Sequence, residues 1–246
     1  MTNQTQLAGY PQIAAQGIWE EYSVAQQNIG AYVETADGRG FRYCKCGGTA
    51  TVAGKVYQSS ALDATNLQPS GGLTPSANVA IGGTEITVSD SITLTANQLA
   101  GGYLSVCVTP GQGYCYKIEK NTAVTAAAGA VITLADPLKI AITTASNFIV
   151  TPHPYSGIIV EPGTPTGVIV GVAHRILTAA YYGWIQTKGV ASVLFTGTGL
   201  AGKAVGSLTG GTAGSAAPAL AATNILGYHV ATGITTEYSL IYLTIG

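Results

Sequence analysis

Glu85-Ile-Thr-Val88, Ser91-Ile-Thr-Leu-Thr95, Tyr103-Leu-Ser-Val-Cys-Val108, Tyr114-Cys-Tyr-Lys-Ile118 and Ala130-Val-Ile-Thr-Leu134 succeed one another between residues 85 and 134, with Phe148-Ile-Val150 close behind. Thr, Val and Ile carry a branched Cβ that a pleated strand accommodates and a helix crowds, so these short runs read as strands. Only Ala123 to Ala128 suggests helix, and Gly129 followed by Val-Ile-Thr-Leu turns that stretch toward another strand. Residues 77–155 therefore read as all-β.

The same pattern continues on both sides. Upstream, Ala31-Tyr-Val-Glu-Thr35 and Phe41-Arg-Tyr-Cys-Lys-Cys46 flank Asp37-Gly38, a pair that favours a tight hairpin turn. Downstream come Val168-Ile-Val170, Arg175-Ile-Leu177, Tyr182-Gly-Trp-Ile-Gln186, Ala191-Ser-Val-Leu-Phe195 and Tyr238-Ser-Leu-Ile-Tyr-Leu-Thr-Ile245. The last run is mostly apolar, which suits a strand buried on both faces or one that closes a barrel. Residues 1–30 are rich in Gln and read as an extended arm, and Gln68-Pro-Ser-Gly-Gly-Leu-Thr-Pro75 reads as a linker. The expected architecture is all-β, an extended N-terminal arm followed by two small β-barrel or β-sandwich regions. Its segments are an arm with a β-hairpin at 1–70, a β domain at 71–160 and a C-terminal barrel-like domain at 161–246.

Composition limits the function. Of 246 residues, 47% are hydrophobic and 9% charged, against about 25% charged in an ordinary soluble domain. The net charge of −1 supplies no basic field for nucleic acid and little repulsion between copies. No run approaches the about 20 apolar residues of a membrane-spanning helix, and the start of the chain lacks the basic-then-apolar layout of an export signal. No nucleic acid, no membrane and no export are expected. Nine of the 21 charged residues lie between Glu20 and Asp63, so ionic contacts concentrate there.

Chemistry-bearing motifs are weak. Gly197-Thr-Gly-Leu-Ala-Gly202 fits the spacing of a dinucleotide fingerprint, but no helix pattern or acidic residue follows at the required distance, and glycine turns explain it better. His153, His174 and His229 come without a nucleophile motif and read as hydrogen-bonded or surface histidines. Cys44, Cys46, Cys107 and Cys115 lack zinc-ligand spacing and read as structural thiols. Catalytic residues, metal and cofactor are all expected to be none. Tyrosine makes up 14 of the 19 aromatics, a composition suited to interfaces because the ring is apolar and its hydroxyl tolerates water.

Gly17-Ile-Trp-Glu-Glu-Tyr22, Asp37-Gly-Arg-Gly-Phe-Arg-Tyr43, Ala100-Gly-Gly-Tyr-Leu104 with Gly111-Gln-Gly-Tyr114, Leu134-Ala-Asp-Pro-Leu138 and Tyr182-Gly-Trp-Ile-Gln-Thr-Lys-Gly189 form a succession covering most of the chain. It resembles the head decoration proteins, also called auxiliary or cement capsid proteins, of tailed bacteriophages. The C-terminal order of a Gly-Trp strand, a Thr-Lys-Gly turn, a Val-Leu strand and a final apolar strand is similar to the small β-barrels of that class. The resemblance implies a non-enzymatic virion protein on the outer capsid surface, a homotrimer that bridges subunits of the major capsid protein. On that footing Trp19, Glu20, Arg39, Arg42 and Tyr43 are the expected capsid contacts, and Tyr182, Trp184 and Tyr238 serve trimer or core packing. Two alternatives remain at this point: a trimeric receptor-binding or glycan-binding fibre module, and a β-rich hydrolase.

Overall fold

The computed structural model describes residues 16–207, 211–220, 224–233 and 236–246; the first half of the expected arm, residues 1–15, lies outside the described residues. Among those described there is no helix, and the fold is all-β. Seventeen strands follow in chain order. They are β1 (Tyr32–Glu34), β2 (Gly40–Cys46), β3 (Val56–Gln58), β4 (Glu85–Thr87), β5 (Ile92–Leu94), β6 (Tyr103–Val108), β7 (Cys115–Asn121), β8 (Val124–Ala127) and β9 (Val131–Leu134). Then come β10 (Asn147–Thr151), β11 (Ser156–Val160), β12 (Ile169–Val172), β13 (Tyr182–Phe195), β14 (Ala204–Ser207), β15 (Ala216–Pro218), β16 (Ile225–His229) and β17 (Glu237–Thr244).

The chain forms two compact units, one from residues 1–61 with 154–246 and the other from 62–153. This differs from the segments 1–70, 71–160 and 161–246 read from the sequence. The reason is strand pairing across distance: β2 pairs antiparallel with β13, Tyr43 opposite Trp184, so the hairpin near the start and the strands near the end share one sheet. Loop-closure entropy rises only slowly with the length of the intervening chain, so such pairing is affordable once apolar faces meet.

In the first unit β13 is the axis. Its first half pairs with β2 and its second half, Lys188 to Phe195, with β17. Pairings β13-β15-β14-β16-β17 and back to β13 close a five-stranded barrel. Val193, Phe195, Val205, Ala216, Leu226, Ile241 and Leu243, drawn from all five strands, form its buried cluster. Burying each Val, Leu, Ile or Phe contributes about 1.5–3 kcal/mol. The pairings β2-β11-β3-β12-β13 and back to β2 return on themselves in the same way, around Cys44, Cys46, Tyr57, Ile158, Val170 and Ile185. Cys44 and Cys46 are thus buried free thiols, and burial pushes the Cys44 thiol well above its ordinary range.

The expected Thr-Lys-Gly turn at residues 187–189 is absent. The strand runs on through it, because a bulge between Gln186 and Lys188 absorbs one residue and Gly189 adopts φ +82 beside the Cα of Arg39, where a Cβ would stand 3.1 Å away. Arg175-Ile-Leu177 is not a strand either. There the backbone is taken up by cross-chain bonds, Leu177 N donating to Thr51 Oγ1 and Thr51 N to Leu177 O. β17 is buried on one face only, with Ser239, Ile241 and Leu243 inward, and it closes the barrel by pairing on both sides.

The second unit has its own core. β10-β6-β7-β9-β4 form an antiparallel sheet and β5 pairs with β8, around Ile86, Leu104, Ile118, Ile132, Phe148 and their neighbours. Val124 to Ala127, read as a turn, is strand β8. The stretch 68–75 is no free linker: Leu73 is fully buried and bridges Phe148, while Pro75 bridges Val88. Cys107 and Cys115 depart from the structural-thiol reading, since both are exposed on this unit's β6 and β7.

Candidate interaction site

The outer face of β2 and β13 presents Phe41, Tyr43 and Trp184, three large rings that a two-strand surface cannot bury by itself. Residues 16–22 cover them. Gln16 supplies its carbonyl to Trp184 Nε1–H at 3.2 Å and its Oε1 to the Tyr43 hydroxyl at 2.7 Å, and Ile18 packs into the cluster. Tyr22 then exchanges backbone bonds with Tyr182 at 3.1 and 2.8 Å. With Ile18 turned inward, Trp19 is turned out, 55% exposed. A tight turn sets this geometry: Glu20 N donates to Gly17 O, and Gly17 N donates to Glu20 Oε2 at 2.9 Å.

His174 holds the turn from below. Its Nε2–H donates to the Ile18 carbonyl at 2.6 Å, and its ring meets Trp19 and Phe41 edge-on, both with centroids 5.0 Å away. Burial, with the charges of Arg175 and Arg39 adding to it, lowers its pKa to about 4, so the ring is neutral at pH 7. Nδ1 is buried with no hydrogen-bond partner. The imidazole therefore acts as a post for the turn, and no hydroxyl is joined to it as a nucleophile would be. Arg175 donates to the Trp19 carbonyl and faces Glu21 at 3.6 Å, while Glu21 accepts from Thr178 N and Oγ1.

Beside Trp19 lies a groove of about 360 Å³ whose walls include Trp19, Arg39, Gly54, His174, Val190 and Tyr238. Arg39 reaches it from the β1–β2 turn, where Asp37 pairs with its Nε at 2.7 Å and its guanidinium lies 5.7 Å from the Phe41 ring centroid. Hydrogen bonds from Thr35 and Arg39 hold the Asp37 carboxyl below its ordinary range. Tyr238, 52% exposed, lies over Gly54, at φ +77; a Cβ there would come 2.4 Å from the ring. Trp, Arg and Tyr on a groove are the residue types that dominate protein interfaces.

Of the residues singled out from the sequence, Trp19, Arg39 and Tyr238 come together here, although Tyr238 was assigned to trimer or core packing and the other two to the capsid. Glu20 is exposed beside them and also stands 3.4 Å from the Tyr22 hydroxyl. One of the expected capsid contacts, Tyr43, is corrected, and Arg42 is half-buried. Tyr43 is fully buried, its hydroxyl also accepting from Gln26 N at 3.0 Å, and Arg42 is turned to Gly30 O at 3.1 Å and to the rings of Tyr32 and Tyr155. Both are occupied in holding the fold. Trp184 is 2% exposed and belongs to the core; Tyr182, half-buried, stacks on Tyr43 with Lys45 over its ring.

His174 is hydrogen-bonded as the sequence reading had it, but its place at the groove, like that of Gly54 and Val190, was missed, because nothing around them signals a groove that only distant pairing creates. Among the described residues no group of three or more His, Cys, Asp or Glu is placed to hold a metal ion. No helix among them is long and apolar enough to cross a membrane. Compared with family models, curated proteins and solved structures, the chain matches none of them.

Proposed function

We propose that the protein is a structural component of a phage virion, one that binds the outer surface of an icosahedral capsid as a homotrimer and bridges subunits of the major capsid protein. The observation that carries this reading is the convergence of Trp19, Arg39 and Tyr238 on one groove, at a turn pinned from beneath by His174 and Trp184. A pinned contact loses little conformational freedom on docking, so more of the interaction remains as affinity. The sequence resemblance supplies the partner, and the groove supplies a means of holding it. Binding to the assembled lattice in preference to separated subunits would stabilise the shell by mass action.

The test mixes purified protein with expanded shells that lack it, then measures co-sedimentation and the temperature at which shells disrupt. Stoichiometric binding with a raised disruption temperature, both lost in Trp19→Ala with Arg39→Ala, is the expected result. Protein that stays in the supernatant, while intact virions carry it only at the tail, would overturn the reading in favour of a receptor-binding module.

A further inference from the structure

From Tyr238 onward strand β17 alternates, and its outward residues Tyr238, Leu240 and Tyr242 are 52%, 47% and 43% exposed. Its neighbours extend the same face. On β13, Val190 stands opposite Tyr242 and Ser192 opposite Leu240; on β16, Tyr228 stands opposite Tyr242, and Val230 N donates to Leu240 O just beyond the strand. Val190, Tyr228 and Val230 are 40%, 49% and 47% exposed. Three adjacent strands thus present an outward surface of three tyrosines, a leucine and two valines. Along the strands themselves charge appears only at the ends, Glu237 at one and Lys188 at the other, while Arg39, paired with Asp37, flanks the face where Val190 and Tyr238 line the groove.

We infer that this outer face of β13, β17 and β16 is where copies of this chain meet one another about their symmetry axis. The barrel is closed, so its strands have no free edge through which to add a strand from another molecule, and association here must pack face on face. About a closed rotation axis the same patch of every copy converges on that axis. A charged patch would oppose itself in that arrangement, and this one has no ionised side chain in its rows. The net charge of −1 adds little long-range repulsion.

The area approaches that of a specific interface and needs its rim to reach it. Half-exposed tyrosines offer on the order of 100 Å² each and the aliphatic side chains about half of that, roughly 450 Å² per copy. Two such patches bury roughly 900 Å² before any rim is counted, close to the about 1,000–1,200 Å² at which specific interfaces begin. Tyr238 also lines the Trp19 groove, so the face runs on into the site described above. The inference rests on the reading of the chain as a multi-copy structural component and gives that assembly its surface.

Sedimentation equilibrium of the full chain alone, without shells, is the test, with Leu240→Lys/Tyr242→Lys as the variant. Wild type is expected as a multimer, and the variant as a monomer with association weakened about 100-fold or more. Val24→Lys, at a site 68% exposed outside this face, should keep the wild-type mass. Far-ultraviolet circular dichroism verifies folding, and Val190→Lys serves as the second variant should the double change unfold the barrel. Wild type that is monomeric at about 100 μM would overturn the inference, as would a multimer whose mass none of the folded face variants alters. A glycan array that labels the face of a monomer would likewise overturn it. Shell binding is then scored separately: a multimer that ignores shells refutes the capsid reading and leaves the interface standing, whereas a monomer that binds shells does the reverse.

Discussion

At the residue scale, the groove depends on a position where a side chain is excluded. Gly54 combines φ +77 with the close approach of the Tyr238 ring, so Gly54→Ala meets both backbone strain and a clash. It is expected to cost about 2–3 kcal/mol, read as a lower denaturant midpoint. Gly48→Ala, at a position with open space, is expected to change stability by no more than about 0.5 kcal/mol. Glu161 gives a second residue-scale effect. Its side chain is fully buried, neither carboxyl oxygen has a hydrogen-bond partner, and burial raises its pKa from 4.5 to about 7. The folded state therefore holds a proton that the unfolded chain has released, and stability falls as pH rises from 4.5 to 7. Glu161→Gln is expected to remove this slope, gaining about 3 kcal/mol on wild type at pH 8 relative to pH 4. His174 acts oppositely: its folded pKa near 4 lies below 6.5, so stability is lost as pH falls from 6.5 to 4. Melting curves of Glu161→Gln across pH 4 to 8 should therefore expose the histidine slope that the carboxylate masks in wild type.

At the element scale, the segment from Gln16 to Tyr22 stays in place through a few polar bonds laid over an aromatic cluster. Tyr43→Phe keeps the ring but removes the hydroxyl that donates to Gln16 Oε1 and accepts from Gln26 N. Leaving two groups without their partner is expected to cost about 1–3 kcal/mol and to raise protease cleavage between residues 16 and 30 while the barrel stays intact. An unchanged cleavage pattern would show that the segment is held by Ile18 and Trp184 packing alone. The sequence made the hairpin legible, since Asp37-Gly38 and the alternation of residues 41–46 are local signals. The uninterrupted course of β13 was not legible, because Thr187-Lys-Gly189 carries turn-forming residues and only the bulge against β2 shows that they continue a strand.

At the scale of the whole molecule, the unit from Leu62 to His153 is a continuous piece of chain with its own buried core, inserted between two segments that build the other unit. It is expected to fold as an isolated fragment, with a cooperative thermal transition that Phe148→Ala lowers by about 3–5 kcal/mol. A fragment without a cooperative transition would show that its core needs the rest of the chain.

The sequence by itself determined the all-β class and the existence of most strands. β-branched runs and glycine turns act over a few residues, and their preferences survive whatever the distant chain does. The resemblance carried by the sequence's short motifs named Trp19 and Arg39 for one contact and Tyr238 for trimer or core packing, without placing the three together. Only the tertiary structure decided which strands close a barrel, that residues 40–46 lie against 182–188, and that Tyr43 is consumed internally. Register and burial follow from which apolar faces meet across more than a hundred residues, and that is a property of packing, which no local window of sequence contains.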